Sequence, residues 1–283
     1  MTNPTCKSKR LRFQIPMAIA VLALSATCVR AQAGGDRITV TLSDPARPAK
    51  LKAHVLNGGI TVKGYEGKDS MVEARVRAPQ SSRAEGGMKR VPITTTGLSV
   101  EEENNQVQVS ADSMQRPIDL EISVPRRTSL HLSSVNDGNI HVSDVEGEFD
   151  INNVNGEVTL LNVAGSVVAH ALNGDLKVTF TSVDPQKAMS FSSLNGTIDV
   201  TFPADVKANV SFRSDNGEVL SDFDVQLQTT SPQQIVEDGR KKGGTYRVKI
   251  DKTVNGKING GGPEIQFKNF NGDIFVRKAG SPR

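Results

Sequence analysis

The sequence predicts an all-β protein: a β-solenoid or β-helix-like stack of Asn-Gly coils with an antiparallel hairpin inserted. Three observations predict it. One apolar pattern recurs around Asn-Gly along most of the 283 residues. The turns recur at a near-constant spacing. The composition suits strands and tight turns, with many Val, Ile, Thr, Asn and Gly, no Trp, and only Tyr65 and Tyr246 as tyrosines.

The repeat is plainest in the middle of the chain. One copy runs from Phe149 to Leu160 around Asn155-Gly156, and the next from Val167 to Val178 around Asn173-Gly174. Two more surround Asn195-Gly196 and Asn216-Gly217. An early copy spans Leu51 to Val62 around Asn57-Gly58, and a late one spans Ile265 to Val276 around Asn271-Gly272. The copy from Leu130 to Val142 has one extra residue and uses Asp137-Gly138; Asn255-Gly256 is a weaker match. The shared pattern is apolar-x-apolar-x-x-apolar-Asn-Gly-x-apolar-x-apolar. Alternation on each side of Asn-Gly is the strand period, in which every second side chain faces one side. The spacer before the third apolar residue is expected to bend the chain, and Asn-Gly to supply positive φ.

An isolated Asn-Gly between alternating runs would signal a two-residue hairpin. A meander of hairpins needs no fixed phase. Here, from Gly138 through Gly156, Gly174 and Gly196 to Gly217, the intervals are 18, 18, 22 and 21 residues. That period suggests coils stacked on one another. Ile151, Ala169, Phe191 and Phe212 would form one inner column, and Val158, Leu176, Ile198 and Val219 another. Asn155, Asn173, Asn195 and Asn216 would stack as a corner ladder. His141, Thr159, Lys177 and Asp199 would face solvent.

Outside the repeat, Ile38–Leu42 is expected as a first strand. Residues 79–97 and 229–244 are expected as loops. Leu98–Val100 and Val107–Val109 flank Asn104-Asn105 and predict an antiparallel hairpin. Ile118–Ile122 alternates cleanly and stops at Pro125. The expected organisation is a signal peptide at 1–33 and one β-repeat domain at 34–283.

Residues 1–33 read as an export leader. Lys7, Lys9, Arg10 and Arg12 precede an apolar run from Phe13 to Ala26, and Ala31-Gln32-Ala33 gives the small-x-small cleavage pattern. The run is short of the roughly 20 residues a spanning helix needs. Lipidation at Cys28 is the alternative, with Ser25-Ala26-Thr27 a poor processing site for it. The whole chain has 34 basic and 31 acidic residues. The leader holds five of the bases, adding Arg30 to the four above, and none of the acids. The remainder carries 29 against 31, a net charge of −2. The basic balance therefore belongs to the leader, which argues against a nucleic-acid partner. Cys6 and Cys28 also lie in the leader, so the mature chain would have neither disulfide nor thiol chemistry.

With its Asn-Gly coils, the chain resembles the bacterial "putative adhesin" β-strand repeat proteins, a domain family of unknown function. Ile118-Asp119-Leu120-Glu121-Ile122-Ser123-Val124-Pro125 leading into the central coils carries part of the resemblance. The ending Asn259-Gly260-Gly261-Gly262-Pro263-Glu264-Ile265, closing on Asn271-Gly272-Asp273-Ile274, carries the rest. It covers about Leu51 to Lys278. The resemblance implies an exported, right-handed solenoid-like fold and brings no established catalytic residues.

Chemistry read from the residues is sparse. Polysaccharide cleavage needs carboxylates converging at fixed separation. Asp150 and Asp199 are outward, but Val168, Ser190, Thr159 and Lys177 share their columns. Glu157, Asp175, Glu218 and Asp273 follow Asn-Gly, yet Gly59, Asn139 and Thr197 break the series that a calcium coil would need. His54 and His170 share a repeat position without neighbouring copies that repeat them, so a zinc site is not expected. No residue is assigned to catalysis, cofactor or metal binding, no cofactor is expected, and the ligand-binding residues are left unknown. The expected function is a non-catalytic exported interaction module, adhesin-like. Its partner would be a surface glycan or an envelope protein, at the periplasm, outer-membrane surface or exterior. The mature chain is expected to hold no transmembrane segment. A carbohydrate-active enzyme on the same scaffold and an envelope sensor or accessory subunit are the alternatives.

Overall fold

The computed structural model describes residues 35–77, 96–111, 116–228, 234–238, 246–250 and 253–281. The leader and most of the loop expected at 79–97 lie outside them. The described residues form strands and turns without a helix. In chain order the strands are β1 Asp36–Thr41, β2 Ala49–Asn57, β3 Ile60–Tyr65, β4 Asp69–Val76, β5 Leu98–Glu103, β6 Gln106–Ala111, β7 Ile118–Pro125 and β8 Thr128–Asn136. The middle holds β9 Ile140–Ser143, β10 Glu146–Asn155, β11 Val158–Asn173, β12 Leu176–Val183, β13 Met189–Asn195, β14 Ile198–Phe202, β15 Ala208–Asn216 and β16 Val219–Ser221. The chain ends with β17 Val225–Leu227, β18 Gln234–Asp238, β19 Tyr246–Ile250, β20 Val254–Ile258, β21 Glu264–Asn271 and β22 Ile274–Lys278.

These strands form two stacks. In the first, the order is β5, β6, β2, β8, β10, the second half of β11, β13, β21, β15, β20 and β17. In the second it is β1, β4, β7, β3, β9, the first half of β11, β12, β14, β22 and β16. Pairing is parallel through the middle of both stacks. It is antiparallel at β5–β6 and at β15–β20–β17 in the first stack, and at β1–β4–β7 in the second. The long β11 passes from one stack to the other, with register shifts between Leu160 and Ala164. The β5–β6 hairpin turns on Asn104 and Asn105, both at positive φ (53° and 67°). Gln234–Asp238, inside the segment expected as a loop, pairs antiparallel with Tyr246–Ile250. The β-branched runs Ile235-Val236 and Val248, Ile250 give both segments strand preference.

Apolar columns from the two stacks make the core. Ile60, Ile140, Val158, Leu176, Ile198 and Ile274 stand in one register and are fully buried. Ala53, Leu132, Ile151, Ala169, Phe191 and Phe267 form the facing column. The order of coils differs from the sequence order at both ends. Phe191 does not meet Phe212; Phe267 lies between them, with centroids 5.3 Å from Phe191 and 5.2 Å from Phe212. The late coil is thus inserted between the third and fourth central ones, and Asn271 separates Asn195 from Asn216. Likewise β2 enters between β6 and β8. Phe180, Phe191, Phe202, Phe212 and Phe267 pack as one aromatic cluster across this insertion.

The corner of each coil explains the Asn-Gly pair. A Cβ on Gly156 would lie 2.2 Å from the Gly138 carbonyl oxygen. The same distance separates a Cβ on Gly174 from Gly156 O, and one on Gly196 from Gly174 O. The coils approach too closely for any other residue. The asparagines have a separate task, and none of the ladder asparagines has positive φ. Asn155 donates its amide to Asn136 (3.1 Å), Asn173 to Asn155 (2.9 Å), Asn195 to Asn173 (2.8 Å), Asn271 to Asn195 (2.8 Å) and Asn216 to Asn271 (3.0 Å).

The third apolar residue of the pattern, the one before Asn, faces outward. Strand alternation continues unbroken to the residue two places before Asn, and that residue is buried in every copy except Ser214 before Asn216. Ser134 and Asn153 are 0% and 2% exposed, Ser193 and Asn269 7% and 1%. Their side chains donate to the carbonyls of Gly58, Gly138, Gly174 and Gly196, at 2.9, 3.1, 3.3 and 2.9 Å. A buried carbonyl at a close-packed corner favours a donor, and in these four copies a small polar residue takes the inner place that Val55 and Ala171 hold in two others.

Candidate functional site

In-register strands make the outer surface of the first stack a set of residue columns running from coil to coil. Three columns matter. Lys52, His131, Asp150, Val168 and Ser190 form one; Lys50, Ser129, Glu148, Ser166 and Ala188 flank it. His54, Ser133, Asn152, His170, Ser192, Lys268 and Arg213 form the second. The apolar residues before Asn form the third: Leu56, Val135, Val154, Leu172, Leu194 and Phe270, ending at Asp215.

Two grooves lie on this face. The first encloses about 680 Å³ between β6, β2, β8, β10 and the Lys187–Ala188 segment. His131 Nδ1 lies 2.9 Å from an Asp150 carboxylate oxygen. Lys187 pairs with Glu148, and that hydrogen bond raises the lysine pKa above its ordinary value. Among the described residues no carboxylate pairs with Lys50 or Lys52, so this groove has a cationic end. The second groove, about 640 Å³, lies between the second and third columns. Its wall is Val154, Leu172, Leu194 and Phe270, and its floor carries His170, Ser192, Lys268 and Arg213. Leu172, Leu194 and Phe270 are 44%, 40% and 47% exposed, although they are consecutive in the stack.

The acids singled out in the sequence are spread by the fold. Asp150 pairs with His131, and Asp199 takes a 2.8 Å bond from Arg277 on the other stack's outer face. Asp175 and Asp273 accept the backbone N–H of Thr197 (2.7 Å) and Glu218 (2.9 Å) in the next coil, and Asn139 does the same for Glu157 (3.0 Å). These residues close the corner rather than converge on a cation. Among the described residues no three His, Cys, Asp or Glu side chains gather as a metal site. His54 and His170 share a column but Ser133 and Asn152 separate them; His170 Nδ1 bonds Ser192 Oγ. Sequence reasoning missed Lys50, Lys52, His131 and the ridge. The first three were readable by carrying the outward register into the early copies. The ridge was not, because the spacer before it leaves the face of those residues undetermined.

The class of molecule these observations define is an all-β protein of in-register strand stacks with a grooved outer face. The chain belongs to the Toastrack DUF4097 family, whose model matches residues 31–259. The strands β21 and β22 lie beyond that match. No curated protein matches the chain in sequence. Two solved structures are similar. A "putative cell adhesion protein" from Clostridium sporogenes shares 12% identity at a TM-score of 0.43, over 87% of this chain and 100% of that one. A "putative adhesin" from Bacteroides fragilis shares 12% identity at a TM-score of 0.39, over 87% of this chain and 97% of that one.

Proposed function

We propose that the protein is a non-catalytic interaction module, built on a β-solenoid of Asn-Gly coils, that binds through the outer face of its first stack. The observation that carries this reading is the ridge of Val154, Leu172, Leu194 and Phe270. An apolar stripe kept in water over consecutive coils costs solubility, and such stripes mark surfaces that partners cover. Here it borders a groove whose floor offers imidazole, hydroxyl and cationic donors. A surface glycan or an extended envelope protein suits such a surface, since both combine apolar faces with hydrogen-bonding groups. The basic start, apolar run and small-x-small pattern of residues 1–33 support action outside the cytoplasm. Engagement of Glu148 and Asp199 in ion pairs, and of Asp150 by His131 Nδ1, supports the non-enzymatic reading.

The test is capture from envelope extracts, with and without polysaccharide, by the wild-type chain and by a Leu172→Ser, Leu194→Ser, Phe270→Ser variant. Exposed sites tolerate such changes within about 0.5 kcal/mol each. Binding should fall while the unfolding midpoint stays. Equal capture by both proteins contradicts the reading, as does hydrolysis of a common polysaccharide by the wild-type chain.

A further inference from the structure

The two ends of the stacks are finished differently. In the second stack, the early end continues into antiparallel β7, β4 and β1. In the first, β20 and β17 continue past β15 at the late end. At the late end of the second stack, β16 pairs with β22 on one side and with no other strand among the described residues.

Its inner side chain shows the consequence. Val219 stands in register with Ile274, whose column is fully buried, yet Val219 is 42% exposed. The neighbouring Leu220 is 43% exposed. The hydrogen bonds fix which backbone groups are free. Glu218 C=O accepts from Ile274 N–H, and Asp222 N–H donates to Val276 C=O. Strand alternation therefore turns the N–H and C=O of Val219 and Ser221 away from β22, toward the open edge. Acids flank this edge: Glu218, Asp222 and Asp224 are all exposed.

We infer that the β16 edge is a strand-acceptor site for an extended segment of a partner protein, with apolar residues alternating with basic ones. Main-chain bonds to Val219 and Ser221 would supply affinity, and cover for Val219 would complete the inner column. The flanking acids set the sign of the partner's charge. They also disfavour a second copy, because antiparallel pairing of two β16 edges would set Glu218 opposite Asp222. This inference is independent of the ridge on the first stack.

The experiment is amide hydrogen exchange and titration on the purified full chain, with two blocked peptides as probes. One alternates valine with lysine, and the other valine with glutamate. Without peptide, the Val219 and Ser221 amides should exchange like exposed backbone. The lysine peptide should bind at one per chain and slow both amides about tenfold or more. The glutamate peptide should bind at least about tenfold more weakly. A Glu218→Lys, Asp224→Lys variant, which alters only exposed side chains, should reverse the preference. Protection before any peptide is added, through the chain itself or a concentration-dependent dimer, overturns the inference. So do equal affinities for the two peptides, absence of binding, and binding that leaves these two amides unchanged.

Discussion

At the scale of single residues, the corner of each coil is the most constrained part of the chain. Gly156 combines a φ of 147° with a neighbour's carbonyl 2.2 Å from where a Cβ would stand. Replacing it with Ala should destabilise the domain by about 2–4 kcal/mol, because both backbone conformation and coil spacing must yield. Asn155→Ala removes ladder bonds on an exposed edge and should cost about 1 kcal/mol. Paired urea melts decide this; equal losses would mean that spacing is not what selects Gly. The glycine period was readable in the sequence, and its reason only half so. Close approach of the next coil leaves no mark in a one-dimensional pattern. The carboxylate of Glu102 gives a residue-scale test of pH. It accepts from Ser43 Oγ (2.8 Å) and Ser43 N–H (3.1 Å), and these bonds hold its pKa below the ordinary value. A lowered folded pKa contributes stability above the unfolded carboxylate value, and that contribution is lost as pH falls through the folded one. Ser43→Ala should raise the Glu102 pKa in a carboxyl-resolved NMR titration; an unchanged pKa would show that Ser43 does not hold it.

At the scale of strands, alternation decides inside from outside, and most of it was legible. Ile198 is fully buried between Leu176 and Ile274, while Asp199 is paired at the surface with Arg277. Ile198→Asp should unfold the domain, since an unpaired buried charge costs several kcal/mol. Asp199→Asn should change stability by no more than about 1 kcal/mol, as for an exposed ion pair. Thermal melts of the two variants separate them, and equal effects would invert the assigned faces. The sequence reading failed at the two residues before each Asn. Asn153 and Ser193 read as spacers because polar residues are normally outside. Val154, Leu172 and Leu194 carry no assigned face in the sequence, because an apolar residue beside a turn does not announce that it is outside. The fold turns Asn153 and Ser193 inward, where they donate to the Gly138 and Gly174 carbonyls, and strand alternation then turns the next residue outward. The ridge that carries the proposed function appears only once those carbonyls are located.

At the scale of the whole molecule, parallel stacking makes coil order a separate question from coil existence. The repeat pattern shows that the copies are equivalent and says nothing of which copies touch. The late coil lies between two earlier ones, with Phe267 packed between Phe191 and Phe212. Ending the chain at Pro263 should therefore cost more than a terminal coil. It removes β21 and β22 from between β13–β14 and β15–β16, and cooperative unfolding should be lost across all four of those strands. Hydrogen exchange on the shortened chain would show it, and protection retained in β15 and β16 would speak against the insertion. The most direct test of the account is cysteine cross-linking. Neighbouring strands lie about 4.8 Å apart and strands two coils apart about twice that, beyond the roughly 7 Å that a disulfide can bridge. With Cys6 and Cys28 replaced, oxidation should cross-link an Asn195→Cys, Asn271→Cys variant and leave an Asn195→Cys, Asn216→Cys variant reduced. The opposite outcome, a bond between positions 195 and 216 and none between 195 and 271, would contradict the inserted coil and the columns built on it.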